Sequence, residues 1–505
     1  MHTTCCAGPQ AGPLLDRTRQ EKFTIDNKTE KYYQDWLKRE EVAEAMVPLI
    51  GKLYRDHGVV TTIYGRSLVH CSVIDILKAH RFARQIINDE LSVFSTWVIL
   101  QAMQRLELTP ARIDIGKLTT RYHAESKQSL DVDAFMRREL GETFGTRRTL
   151  RDRPKDVVLF GFGRIGRILA RILIERGGAG DKWRLRAVVV RRCNREELGK
   201  RASLLRRDSI HGPFKGTITV EPDENAIVVN GNMIRFIDAD RPEEADYAQH
   251  GIEDVIVLDN TGIWRDRKGL ERHLQVPSVS SVVLTAPGKE DIPNIVYGVN
   301  NDCIVPEERL LSAGSCTTNA IVPVIKVMHD RFGIDSGHIE TCHSYTNDQN
   351  LIDNYHKNDR RGRGAPLNMV ITETGAASAV AKVLPEIAGK LTANAIRVPT
   401  PNVSLAILNL MLDREVSTEE VNSYLRDLSL DSPLQGQIDY VSSPAVVSSD
   451  FVGTEKTAII DSVATIVQGR RCVLYVWYDN EYGYSAQVVR IVQHVAGLEL
   501  PSFPR

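Results

Sequence analysis

Val157-Val158-Leu159-Phe160 runs without a break into Gly161-Phe162-Gly163-Arg164-Ile165-Gly166. The residues that follow set Ile165, Ile168, Leu169, Ile172 and Leu173 on one helical face, and Gly177-Gly178 ends the pattern. A short apolar strand, a G-x-G-x-x-G turn and an amphipathic helix in this order form a dinucleotide-binding fingerprint. The first glycine permits the tight turn, the second lets backbone approach a pyrophosphate, and the third allows helix and strand to pack closely. The pyrophosphate then lies on the free N–H groups and positive dipole end of the helix. A second apolar run, Arg184-Leu185-Arg186-Ala187-Val188-Val189-Val190, completes a β-α-β unit and implies a parallel sheet. Its tip reads Arg191-Arg192-Cys193-Asn194, where a carboxylate would normally receive the adenosine ribose. Two guanidiniums there suit a 2′-phosphate, so NADP or dual NADP/NAD use is expected over strict NAD use.

Outward from this unit the chain is long, at 505 residues, which suggests about three domains. Hydrophobic residues make up 42%, enough to bury sizeable cores, and 64 Lys+Arg against 65 Asp+Glu leave a net charge of -1. That balance excludes an overall basic nucleic-acid binder, and no nucleic-acid partner is expected. No apolar run is long enough to span a membrane, and the first residues lack the apolar core of a secretory signal, so no membrane partner is expected. Eight cysteines form no dense framework and read as reduced thiols of a cytoplasmic protein. Residues 1–22 lack periodicity and are expected to be flexible. Residues 23–150 carry helical patterns, such as Ala43, Met46, Val47, Ile50 and Leu53-Tyr54 with Gly58 as a stop. They contain no nucleotide loop, metal spacing or catalytic pair, and read as an all-helical extension of unknown role. Residues 155–315 form the Rossmann-type α/β domain, completed by a C-terminal helix in 480–500. Residues 316–479, with strand-like runs such as SLAILNLML and RCVLYVWY, form an α+β domain with a mainly antiparallel sheet.

The sharpest chemical signal is Ser315-Cys316-Thr317, followed by Ile321, Val324, Ile325 and Met328 at helical spacing. Cys316 stands at a helix start, where the dipole is expected to lower a thiol pKa. The small polar flanks argue against a buried structural cysteine. A thiol nucleophile needs a base, and His343, in ETCHSYTNDQN, is the candidate.

With these residues in view, SCTTN, GFGRIGR, HSYTNDQ, RVPTPNVS and WYDNEYGYS together resemble the glyceraldehyde-3-phosphate dehydrogenase family. DSIHG, TAPGK and TGAASAVAKVLPE fit it in the same order. The resemblance covers about residues 155–498 and leaves out residues 1–150, as in an N-terminally extended bacterial-type member. It implies NAD(P)-dependent oxidation of glyceraldehyde 3-phosphate to 1,3-bisphosphoglycerate, through a thiohemiacetal and a thioester on Cys316. His343 would be the base, and inorganic phosphate the second substrate. Cofactor contacts implied in this way come from Gly161, Gly163, Arg164, Ile165, Gly166, Thr261, Thr285 and Asn480, with Arg191, Arg192 and Arg241 toward the adenosine side. Thr346, Asp348 and Arg397 resemble the substrate-phosphate site. Ser315, Thr317, Thr374, Gly375 and Arg361 resemble the site for the attacking phosphate. Asp348 fits such a site if it orients Arg397 or bonds the nicotinamide ribose. Asn354-Tyr355 stands where NAD-preferring members often carry Leu-Pro. No metal is expected, and a homotetramer is implied. Erythrose 4-phosphate is an alternative substrate. A non-catalytic scaffold is the alternative of another class, disfavoured by the intact Cys316, His343 and phosphate residues.

Overall fold

The computed structural model describes residues 27–505 apart from 88, 126–130, 147–148 and 179–181. The flexible segment expected at 1–22 lies outside the described residues. The extension opens with α1 (Asn27–His57), ended by Gly58 at φ +66°. After it come β1 (Val60–Ile63), β2 (Arg66–Ser67), α2 (Val73–Phe82), α3 (Arg84–Ile87), α4 (Val93–Gln104), β3 (Arg112–Asp114), α5 (Ile115–Glu125) and α6 (Val132–Glu139). Its core gathers Met46, Ile50, Leu53, Ile99, Leu100, Met103 and Phe135. The region is mainly helical, as its periodicity implies, but the expectation of an all-helical region needs correction. A four-stranded sheet, ordered β2-β1-β3 and then a strand from the chain's far end, runs through it.

The dinucleotide-type domain follows, with β4 (Lys155–Phe160), α7 (Arg164–Arg176), β5 (Trp183–Val190), α8 (Arg195–Arg206), β6 (Ile218–Glu221), β7 (Ala226–Val229), β8 (Asn232–Asp238), β9 (Val255–Asp259), α9 (Arg267–Leu274), β10 (Val279–Leu284) and β11 (Leu310–Ser312). The sheet order is β11-β10-β9-β4-β5-β8-β7-β6, parallel from β11 to β8 and closed by an antiparallel hairpin. Because the sheet is covered on both faces, β4 is apolar at every second residue in both directions. Val157 and Leu159 enter one core and Val158 and Phe160 the other. The chain leaves β4 for β5 on one side and returns to β9 on the other, so a crevice opens at the β4/β9 tips. Such a switch point is where ligands bind in open α/β sheets.

The last domain contains α10 (Cys316–Phe332), β12 (Ile334–Ser344), β13 (Val370–Thr372), α11 (Ala376–Val383), β14 (Leu391–Val398), β15 (Ser404–Leu412), α12 (Thr418–Leu430), β16 (Ile438–Val441), β17 (Ala458–Asp461), β18 (Ile466–Gln468) and β19 (Arg471–Tyr478). Its sheet, β13-β14-β12-β15-β19-β17-β16 with β18 on β19, is mainly antiparallel; β12/β14 and β16/β17 are the parallel pairs. Then α13 (Tyr482–Val495) returns to the first domain and buries Val488, Val489, Ile491 and Val492 beside α7. Finally β20 (Ser502–Phe503) pairs with β3 and buries Phe503 in the extension's core.

Candidate active site

The phosphate-binding turn follows the logic of its three glycines. Gly161 has φ +99°, a conformation a side chain would strain. A Cβ on Gly166 would lie 2.6 Å from the Gly161 carbonyl oxygen, whereas one on Gly163 would meet no protein atom. The second glycine therefore faces open space at the start of α7. That helix has no side-chain cap at Gly163, so its first N–H groups await a partner. Uncapped donors beside a glycine that leaves room are what a pyrophosphate requires, and the residues fit a dinucleotide. Thr261 and Thr285 stand at the tips of β9 and β10. Both are fixed on Asp259, Thr261 Oγ1 donating to its carboxylate at 2.7 Å and Thr285 N–H to its carbonyl at 2.9 Å. Asp259 is itself buried against His273 at 3.1 Å.

One expectation at this end needs adjustment. The Arg164 side chain is committed elsewhere: it donates to Glu481 through Nε at 2.9 Å and Nη2 at 2.6 Å, and pairs with Asp208. Only its backbone is left for a phosphate. Arg241 lies 3.8 Å from Glu244. Arg191 and Arg192 are exposed, and among the described residues neither guanidinium has an ion-pair partner. The strand tip is not wholly cationic, however, because Asp238 of β8 lies in register with Val190.

The nucleophile turn is built by capping. Ser315 Oγ accepts the Thr318 N–H at 3.0 Å, and Asn319 Nδ2 donates to the Ala313 and Ser315 carbonyls at 2.7 and 3.0 Å. Cys316 thereby becomes the first residue of α10. Its Sγ lies 3.5 Å from His343 Nε2. The other ring nitrogen, Nδ1, is 2.7 Å from the Ser344 carbonyl, an acceptor, and 3.0 Å from Arg397 Nη1, a donor; when Nδ1 carries the proton toward Ser344, Nε2 presents a lone pair to sulfur. Register explains the rest: β12 and β14 pair His343 with Arg397, whose Nη1 donates to the Ser344 carbonyl at 3.1 Å and to Thr346 Oγ1 at 3.2 Å. Burial and the Arg397 charge push the His343 pKa down to about 4, so the ring is neutral. The expected lowering of the Cys316 pKa is not found. Burial pushes the thiol up, outweighing the opposing Arg397 charge and the helix N–H groups.

Around this pair the anion-binding candidates divide differently than expected. Thr346 Oγ1 donates to Asp348, and Arg361 Nη1 donates to the same carboxylate at 2.6 Å. Arg361 thus joins Thr346, Asp348 and Arg397 rather than Thr374 and Gly375, and the hydrogen-bond partner Asp348 orients is Arg361, not Arg397. Against the cost of burial, Thr346 and the two guanidiniums hold the Asp348 carboxyl below its usual range. Arg397 Nε is buried with no hydrogen-bond partner, a donor left for an anion. Thr374 and Gly375 stand at the start of α11, which packs on α10; among the described residues no hydrogen bond joins them to Cys316 or Arg397.

Some residues that shape the site were not singled out from sequence. Tyr478 Oη lies 3.0 Å from Thr317 Oγ1, and its ring meets His343 edge-on at 6.1 Å. The signal was present: β19 alternates Cys472, Leu474, Val476 and Tyr478 inward, ending a core face in a hydroxyl. Ser344 and Ser404 both donate to Asn480 Oδ1, at 2.8 and 3.1 Å, which turns the Asn480 amide nitrogen away from them.

Comparison with known proteins agrees with this geometry. Residues 155–267 match the family described as glyceraldehyde 3-phosphate dehydrogenase, NAD binding domain, and residues 315–480 match its C-terminal domain. A Pseudomonas aeruginosa protein named glyceraldehyde-3-phosphate dehydrogenase-like protein is 56% identical over 462 residues, 91% of this chain and 100% of the relative. That match must reach well into the extension. Glyceraldehyde-3-phosphate dehydrogenase 2 of Trichormus variabilis is 40% identical over 342 residues, 67% of this chain and 98% of the relative. The chloroplastic glyceraldehyde-3-phosphate dehydrogenase A of Zea mays is 40% identical over 376 residues, 74% of this chain and 90% of the relative.

Proposed function

Because the chain belongs to the glyceraldehyde-3-phosphate dehydrogenase family, we propose that it oxidises glyceraldehyde 3-phosphate to 1,3-bisphosphoglycerate with inorganic phosphate, through covalent chemistry on Cys316. It is an oxidoreductase with a dinucleotide-binding domain. The observation that carries the mechanism is the 3.5 Å contact of Cys316 Sγ with Nε2 of a neutral His343, beside the unpartnered Nε of Arg397.

Cys316 Sγ attacks the aldehyde carbon, forming the carbon–sulfur bond, and the thiol proton ends on the former carbonyl oxygen. The Cys316 N–H, one of the unpaired donors of α10, and the His343 ring suit the developing negative charge. His343 Nε2 then takes the hydroxyl proton as the carbon–hydrogen bond breaks, help worth roughly 10²–10⁴ in rate. A bound nicotinamide supplies the acceptor for that hydride. The resulting thioester is attacked by inorganic phosphate, which releases the Cys316 sulfur and leaves the acyl phosphate. Arg397, Thr346 and Arg361 are the residues for the substrate phosphate. Ser315, Thr317, Thr374 and Gly375 are those for the attacking one. Gly161, Gly163, Ile165, Gly166 and the Arg164 backbone would hold the dinucleotide pyrophosphate, with Thr261, Thr285 and Asn480 along its length.

NADP acceptance, with NADP preference or dual use, is supported by the free guanidiniums of Arg191 and Arg192 and tempered by Asp238. Assembly as a homotetramer is supported by the apolar side chains left uncovered at 351–371, including Leu351, Ile352, Tyr355, Leu367 and Met369. Cytoplasmic residence is supported by Cys71, Cys193, Cys303, Cys316, Cys342 and Cys472, all unpaired.

The test is a single-turnover burst of reduced dinucleotide with glyceraldehyde 3-phosphate, followed by phosphate-dependent turnover. Wild type should show both, and Cys316→Ser should show no burst, because a serine hydroxyl is far less ionised than a thiol. A full burst from Cys316→Ser would remove Cys316 as nucleophile. Turnover indifferent to phosphate would remove the phosphorylating reaction.

A further inference from the structure

Asn480 is held by two arms, one from each domain of the core. On the catalytic side, Ser344 at the end of β12 and Ser404 at the start of β15 donate to its Oδ1 at 2.8 and 3.1 Å. On the other side its two chain neighbours are fixed. Glu481 takes the Arg164 guanidinium of the phosphate-binding turn, 2.9 Å from Nε and 2.6 Å from Nη2. Asp479 is buried, and its Oδ1 accepts the N–H groups of Glu481 and Tyr482 at 2.9 and 2.8 Å, closing a loop over the backbone that carries Asn480.

His211 touches both arms. It lies between α8 and β6, and its side chain is buried. Its Nδ1 is 3.0 Å from Arg164 Nη2, which can only donate, and its Nε2 is 3.2 Å from Asp479 Oδ2, which as a carboxylate can only accept. The ring proton therefore sits on Nε2. Across the domain boundary the amide of the buried Asn402 comes within 3.4 Å of the same Nε2, with Nδ2 toward the ring and Oδ1 left without a partner. Turning that amide over brings Oδ1 to the Nε2 proton, so that an acceptor faces a donor. Asn402 stands two residues before Ser404, and the residue between them is strained. Val403 has φ +64° and is the one β-branched residue at positive φ among the described residues. Such a conformation persists only where the surroundings over-determine it, and it collects at functional sites. Here Asn402 is fixed on His211 and Ser404 on Asn480.

Resting on the dinucleotide site read above, we infer that His211 is a positioning residue for hydride transfer: by joining Asp479 to Asn402 it locks the two arms together and so aims the Asn480 amide at the nicotinamide. With Oδ1 taken by the two serines, Asn480 Nδ2 is the group left to donate to a carboxamide. Among the described residues no hydrogen bond joins His211 to Cys316, His343 or the anion-binding side chains, so it acts through the two arms alone.

The test uses titration calorimetry on the full-length protein. It compares the affinity for NADP and NAD with that for the same molecules lacking the nicotinamide, 2′-phospho-ADP-ribose and ADP-ribose. His211→Asn keeps an amide near the place of Nδ1 but does not reach Asp479. It should weaken the dinucleotides about fivefold or more, the worth of one hydrogen bond, and leave the ribose compounds within about twofold of wild type. Stopped-flow hydride transfer should slow about tenfold or more, because a misplacement of about 1 Å costs up to about 10²-fold. His211→Gln carries an amide nitrogen to the place of Nε2 and should restore both readouts to within about threefold. Asn402→Ala opens the same contact from the other arm. It should shift the same affinity ratio, and it decides the matter if His211→Asn does not fold. The proposal is overturned if the ratio of dinucleotide to ribose-compound affinity stays within about twofold of wild type, if both classes of ligand weaken together, or if His211→Gln fails to restore the ratio. Wild type that binds neither class removes the dinucleotide site itself and the proposal with it, an outcome separate from an unchanged ratio.

Discussion

At the nucleophile, burial and the helix start pull in opposite directions, and the outcome sets how the pair works. The thiol is held up and the His343 ring down, so the ground state is a neutral thiol facing a neutral imidazole rather than an ion pair. Proton transfer is then made during the reaction. His343→Asn is expected to slow hydride transfer by roughly 10²–10⁴ with dinucleotide affinity near normal, because the asparagine cannot accept the proton. Stopped-flow reduction of dinucleotide measures it, and unchanged transfer would make His343 merely structural. The pH dependence has a definite sign. The folded pKa of about 4 lies below the ordinary value of 6.5, so the unfolded chain takes up the proton first. Stability from this residue is present above the ordinary histidine value and is lost as pH falls toward 4. Denaturant midpoints for wild type and His343→Asn should therefore converge, or reverse, through that acid window. A parallel loss in both proteins would assign the acid sensitivity to other groups.

Among the elements, β4, its turn and α7 were legible because several independent signals agree there. An unbroken apolar strand means burial on both faces, the glycines mark a turn and a close approach, and α7 shows its apolar stripe. Cys316 at a helix start was equally readable, since a capping serine and a periodic helix adjoin it. The partner of Arg361 was not readable: Asp348 lies 13 residues before it in an irregular loop, and no periodicity says which carboxylate a loop arginine meets. The sheet of the extension was hidden for a related reason. Two of its strands are only two residues long, and β20 comes from the other end of the chain, so no local alternation marks them. At the tip of β5 the structure leaves two exposed guanidiniums with a carboxylate one strand away. Changing Arg191 and Arg192 together to Ala should lower kcat/KM for NADP by about tenfold or more relative to NAD, as one charge-assisted bond is worth about 1.5–3 kcal/mol. The comparison of kcat/KM for both dinucleotides decides it. A wild type that favours NAD tenfold, or a ratio untouched by the double change, removes the 2′-phosphate from this strand tip.

On the scale of the molecule, the extension is tied to the core through the last residues of the chain and through an ion pair with the catalytic domain. Phe503 fills its interior, β20 completes its sheet, Arg121 donates to the carbonyl of Arg505, and Lys117 pairs with Asp431 across the seam. Among the described residues, none of the extension enters the nucleophile site or the dinucleotide turn. The Trichormus variabilis relative is matched almost end to end over a length that leaves no room for such an extension, so the family's two domains stand without one. Removing residues 1–150 alone would strip the cover from Phe503 and leave β20 an unpaired strand with an apolar side chain, a liability for aggregation. Removing residues 500–505 as well takes that strand away. The doubly trimmed protein is therefore expected to be the more soluble of the two and to keep turnover within about tenfold of the full chain, with KM for the aldehyde little changed. Circular dichroism and size-exclusion chromatography first establish that it is folded, and a steady-state assay with glyceraldehyde 3-phosphate follows. A folded but inactive trimmed protein would mean that the extension completes the active site or the assembly on which activity depends.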